Sequence, residues 1–178
     1  ITQGAATGST GVAAISVNDN ITATGNLNMY GLSTNNNGIY INSGKTISGG
    51  NIQAIGNSGT GNPNGLYINY GSITTTGTTG SSLVKGISAT TGTGGGSAAA
   101  QLVGGTYTAA SGTTLTVEGL ATGSAGANFA YTRGLRVNDL INTYGDITLK
   151  GSSSSDDGVL VQTSGINVRS GSLTLNGT

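Results

Sequence analysis

Apolar and polar residues alternate over short runs that recur along the whole chain. One run places apolar residues two apart and meets a glycine two positions later. It reads Leu27, Met29, Gly31; Ile52, Ala54, Gly56; Val84, Gly86; Leu115, Val117, Gly119; Ile147, Leu149, Gly151; and Leu173, Leu175, Gly177. A period of two predicts a strand with one buried face. The glycines recur every 25 to 33 residues, an interval typical of solenoid repeats. A second alternating run opens each unit, at Ile15 and Val17, Ile39 and Ile41, Leu66 and Ile68, Leu135 and Val137, and Val159 and Val161. In the fourth unit Gln101–Val103 stands in its place. Between the two runs lies a shorter apolar anchor at Ile21, Ile47, Ile73, Tyr107, Ile141 and Ile166. Each unit thus predicts three short strands.

Stacking the units as parallel coils about 4.8 Å apart sets like on like. Leu27, Ile52, Leu115, Ile147 and Leu173 form one inward ladder, interrupted by Ser82; Met29, Ala54, Val84, Val117, Leu149 and Leu175 form the next. Tyr40 and Tyr67 fall beside each other on the outside. Lys85, Glu118 and Lys150 precede the glycine in three successive units, so Glu118 is expected between two lysines. After the anchor, Thr22, Ser48, Thr74, Thr108, Asn142 and Asn167 make an outward polar series. Gly and Asn punctuate the strand ends, where corners need positive φ or side-chain bonds to the local backbone. Asp19 and Asp139, each in a VND triplet, fall at equivalent corners. Segments of uneven length, 32–37, 57–64, 87–100, 120–133 and 152–157, return the chain between units along one edge. The fold class expected is all-β: a right-handed parallel β-helix (β-solenoid) of about six coils, with residues 1–178 as a single segment. ITQG, ending at Gly4, reads as the tail of a preceding unit, so the segment is expected to belong to a longer repetitive chain.

Composition strengthens this reading. The chain holds 34 Gly, one Pro and no Cys, His or Trp. Gly, Asn, Ser and Thr are weak helix formers. A formal net charge of zero argues against nucleic acid as a partner. No stretch approaches the ~20 apolar residues of a membrane-spanning helix. Disulfides and thiolate metal sites need Cys, so neither is available. The carboxylates are Asp19, Glu118, Asp139, Asp146, Asp156 and Asp157, and only the last two adjoin, in a stretch read as a hydrated loop. Arg133, Arg136 and Asp139 come nearest to a charged groove, and Asp139 is already explained by its corner. No catalytic residue, metal or cofactor is expected; Tyr40, Tyr67, Arg133 and Arg136 are the candidate surface contacts.

The units GIYINSGKTISGGNIQAIG (38–56) and GLRVNDLINTYGDITLKG (134–151) resemble the repeats of filamentous-haemagglutinin-like bacterial exoproteins, and the resemblance covers nearly the whole chain. It implies a right-handed β-helical fibre, secreted across the outer membrane and acting in adhesion, biofilm formation or contact between cells. The expectation is a non-catalytic adhesive segment at the bacterial cell surface. Its partners would be a host or bacterial surface protein or glycan, or neighbouring copies of itself. The alternatives are a subunit of a self-assembling extracellular filament and a glycan-active β-helix enzyme.

Overall fold

The computed structural model describes residues 2–6, 13–59, 64–89, 98–123, 132–162 and 164–178. Among them the chain forms nineteen strands and no helix, arranged as three parallel sheets. The opening sheet stacks β2 (Ile15–Val17), β5 (Ile39–Ile41), β8 (Leu66–Asn69), β11 (Ala98–Val103), β14 (Arg133–Val137) and β17 (Val159–Val161). The middle sheet stacks β3 (Ile21–Thr22), β6 (Thr46–Gly49), β9 (Ser72–Thr75), β12 (Gly105–Thr108), β15 (Ile141–Tyr144) and β18 (Ile166–Val168). The closing sheet stacks β1 (Thr2–Ala6), β4 (Leu27–Ser33), β7 (Ile52–Ser58), β10 (Gly80–Ser88), β13 (Thr113–Ala121), β16 (Asp146–Ser153) and β19 (Leu173–Gly177). One strand per sheet per turn, repeated six times, is a parallel β-helix. Its core is the column of inward side chains of all three sheets, in which Ile39, Ile41, Leu66, Ile68, Leu135 and Leu149 are fully buried. Each such side chain stabilises the stack by roughly 1.5–3 kcal/mol.

In the closing sheet the register is the one the alternation predicts. Leu27 pairs with Ile52, Leu115 with Ile147 and Ile147 with Leu173, while Met29, Ala54, Val84, Val117, Leu149 and Leu175 run beside them. Gly4 lies opposite Gly31. Ser82 interrupts the first ladder, and its buried hydroxyl oxygen accepts the Ile52 backbone N–H at 2.8 Å, so the polar side chain is satisfied by the neighbouring coil.

The recurring glycine does not terminate its strand at a corner. β4, β7, β10, β13 and β16 all run on through it, and none of these glycines has positive φ. Each instead points inward where the next opening strand crosses. A Cβ on Gly31, Gly56, Gly86, Gly119 or Gly151 would fall on the carbonyl oxygen of Gly38, Gly65, Ala99, Gly134 or Gly158 respectively. Close backbone approach, rather than turn geometry, excludes a side chain there. Just beyond it Ser33, Ser58 and Ser88 are buried. Ser33 Oγ accepts the Asn36 N–H at 3.0 Å, and Ser153 Oγ donates to the Thr132 carbonyl at 2.7 Å. The connections therefore leave from a pinched, hydrogen-bonded base. Those bases stack along one edge: Gly59 N donates to Ser33 O, Ala89 N to Ser58 O and Thr122 N to Ser88 O. The edge between Gly86 and Arg133 includes residues 90–97 and 124–131, which lie outside the described residues.

Two expectations are corrected. The opening strand of the fourth coil is AAAQLV rather than Gln101–Val103 alone; Ala100 and Leu102 take the inward places opposite Leu66 and Ile68, and Gln101 faces out. In the middle sheet Tyr107 lies opposite Thr143, while Ile141 lies opposite Gly105. The outward series runs Thr22, Ser48, Thr74, Thr108 and then Tyr144. Asn142 stands opposite Thr106, and Asn167 beside Asn142. A shift by two residues preserves which side chains face inward, so alternation alone cannot detect it.

Candidate functional site

The outward face of the opening sheet gathers three of the four predicted contact residues. Parallel register places Ser16, Tyr40, Tyr67, Gln101, Arg136 and Leu160 in one axial row. Tyr40 and Tyr67 stack with ring centroids 5.3 Å apart and planes 12° from parallel. Their facing surfaces are spent on each other, so no sugar ring fits between them. Asn69 Nδ2 donates to the Tyr40 hydroxyl at 3.3 Å, and that hydroxyl reaches Asn42 Oδ1 at 3.4 Å. Burial, and then the neighbouring Tyr40, hold the Tyr67 phenol above its ordinary value.

Arg136 Nε donates to Gln162 Oε1 at 2.9 Å, a tie to the next coil. Burial and the like charge of Arg133 depress its guanidinium. Arg133 stands apart from the row, at the start of β14, where its Nε approaches Asp156 at 3.4 Å and Asp157 at 3.5 Å. Asp156, with 17% of its side chain exposed, corrects the hydrated-loop reading and closes a loop base onto the preceding coil, whereas Asp157, 50% exposed, stays hydrated beside Arg133.

The closing sheet carries the predicted charge row. Glu118 lies 3.1 Å from Lys85 and 3.5 Å from Lys150, in register with both. Near it, Asn26, Asn28, Asn51, Gln53, Ser81 and Leu83 line an open groove of about 370 Å³. Its lining is uncharged and offers no acid or base for proton transfer.

The corner after β8 holds a residue that the sequence reading passed over. Tyr70 is the one non-glycine residue with positive φ (48°) among the described residues, and it is half exposed. Its hydroxyl donates to Asp139, which also takes the Leu140 N–H at 2.7 Å. The Tyr70 bond first, then the Leu140 amide and the Ser164 hydroxyl, hold the Asp139 carboxyl below its ordinary value. Asp19, at the equivalent corner of the first coil, lies 3.6 Å from Lys45. Asp146 accepts the backbone N–H and the hydroxyl of Ser172, at 3.1 and 2.7 Å.

Glu118, Asp139, Asp146 and Asp156 are thus engaged by another coil, while Asp19 and Asp157 lie exposed beside a cation. Among the described residues no group of three or more acidic, His or Cys side chains is gathered to hold a metal ion, and no helix is long and apolar enough to cross a membrane. No family model matches the chain, and neither a curated protein nor a solved structure matches it.

Proposed function

We propose that this chain is a non-catalytic structural and adhesive segment of a secreted bacterial fibre exposed at the cell surface. The observation that supports this most is the use made of its charge. Glu118, Asp139, Asp146 and Asp156 are tied to a neighbouring or next-but-one coil, Asp19 and Asp157 stay exposed beside Lys45 and Arg133, and no two carboxylates converge on an open groove as acid–base hydrolysis of a glycan would need. Stacked coils give axial stiffness; the tyrosine–glutamine–arginine row and the loop edge give contacts to a surface protein or glycan. The test immobilises the purified chain on beads. It measures their retention on bacterial and epithelial cells, and incubates the chain with cell-surface polysaccharides while counting new reducing ends. Retention without cleavage is expected; cleavage, or no retention above that of bare beads, overturns the proposal.

A further inference from the structure

The middle sheet adopts, between coils four and five, a register that its apolar residues do not select. Opposing Tyr107 with Ile141 would pair two large side chains, yet Tyr107 opposes Thr143. Thr143 is fully buried there and its hydroxyl has no hydrogen-bond partner. Both arrangements keep the same residues inward. They differ in how much chain the corners on either side of β15 take up, since β14 and β16 keep their register with coil four. Something outside the sheet must choose between them.

That corner carries a tie spanning several coils. The Tyr70 backbone is built into the stack, its N–H donating to Val103 O at 2.6 Å and its carbonyl accepting from Gly44 N at 3.1 Å. Its ring crosses the next coil at Gly104, where a Cβ would stand 2.5 and 2.7 Å from ring atoms Cδ1 and Cε1. Gly104 itself has φ 66°, so it supplies both the open space and the left-handed backbone. Beyond it the Tyr70 hydroxyl reaches Asp139, which the Leu140 N–H holds in place. Residues of coils three to five thereby meet at one clasp. A left-handed tyrosine is uncommon and persists only where its surroundings over-determine it.

We infer that the Tyr70–Asp139 clasp is a registration device that fixes β15 against β12. Asp139 lies two residues before Ile141. Sliding β15 by two positions moves that strand about 7 Å along its axis, stretches the corner and draws Asp139 away from the hydroxyl.

Because the chain has no cysteine, disulfide trapping reads the register directly. Thr106→Cys with Asn142→Cys reports the observed pairing, and Thr108→Cys with Asn142→Cys reports the slid one. Thr116→Cys with Thr148→Cys, opposite each other in the closing sheet of the same two coils, is the control. Each pair is made in the parent and with Tyr70→Phe or Asp139→Ala. The parent should cross-link through the first pair and the control. Without the clasp, the second pair should gain several-fold at the expense of the first while the control is unchanged. An unchanged ratio of the first two pairs overturns the inference. Loss of the control cross-link overturns it too, because the clasp would then be holding the fold rather than its register.

Discussion

Replacing Gly119 with Ala adds a single methyl group at a place where nothing can give way. The new Cβ would fall on the Gly134 carbonyl oxygen and stand 3.0 Å from the Ala100 amide nitrogen, so backbone meets it on two sides. Gly119 is paired with Gly86 and Gly151 in the centre of the closing sheet, so neither strand can yield without breaking its ladder. Overpacking a well-ordered interior costs about 1–3 kcal/mol when side chains can adjust, and here only backbone is available. We expect a loss of at least about 3 kcal/mol, more than a hundred-fold in the folding equilibrium. Gly25→Ala is the matched control, since its Cβ would meet nothing within 4 Å; its effect should stay within about 0.5 kcal/mol. Urea denaturation followed by far-ultraviolet circular dichroism reads both. A Gly119→Ala midpoint indistinguishable from that of Gly25→Ala would refute the idea that these glycines exist for close backbone approach.

Other consequences follow from single contacts. Thr143→Val replaces a buried, unpartnered hydroxyl with a methyl of similar size, and should raise stability by about 1 kcal/mol in the same urea assay. Glu118→Gln removes two ion pairs and should cost up to about 1 kcal/mol at low ionic strength, shrinking in high salt. The Asp139 carboxyl titrates below its ordinary value in the fold, so its contribution is complete above about pH 4 and is lost as pH falls through the lower folded value. The gap in urea midpoint between the parent and Asp139→Ala should therefore be constant from pH 7 to about pH 5 and close below about pH 4.

The closing sheet was legible in the sequence because its alternation, its glycine and its charge row all recur at matched offsets. Glu118 could be placed between Lys85 and Lys150 by counting back from the glycine. The middle sheet was only partly legible: its corners differ in length, and a two-residue slip leaves every inward residue inward, so Ile141 looked like the partner of Tyr107. The glycines themselves were visible, but their reason was not, since a close approach to Gly38 or Gly134 depends on how the next coil folds back. Tyr40 and Tyr67 could be paired because they share an offset from Gly38 and Gly65. The clasp at Tyr70 was hidden for the opposite reason. It joins residues with unlike offsets in coils three and five, and no repeat points from one to the other. Asp156 looked as solvated as Asp157 because Arg133 reaches it only through the stacking of one loop base on another.

All of these contacts rest on six in-register coils rising by one strand spacing each. Spin labels at Ser16→Cys and Leu160→Cys, the first and last members of the outward row of the opening sheet, measure that rise across five steps. Double electron–electron resonance should give one narrow distribution near 24 Å, and a label pair at Ser16→Cys and Arg136→Cys should read shorter by about 5 Å. A broad distribution, or a separation that does not grow with the number of coils between the labels, would contradict the stacked architecture.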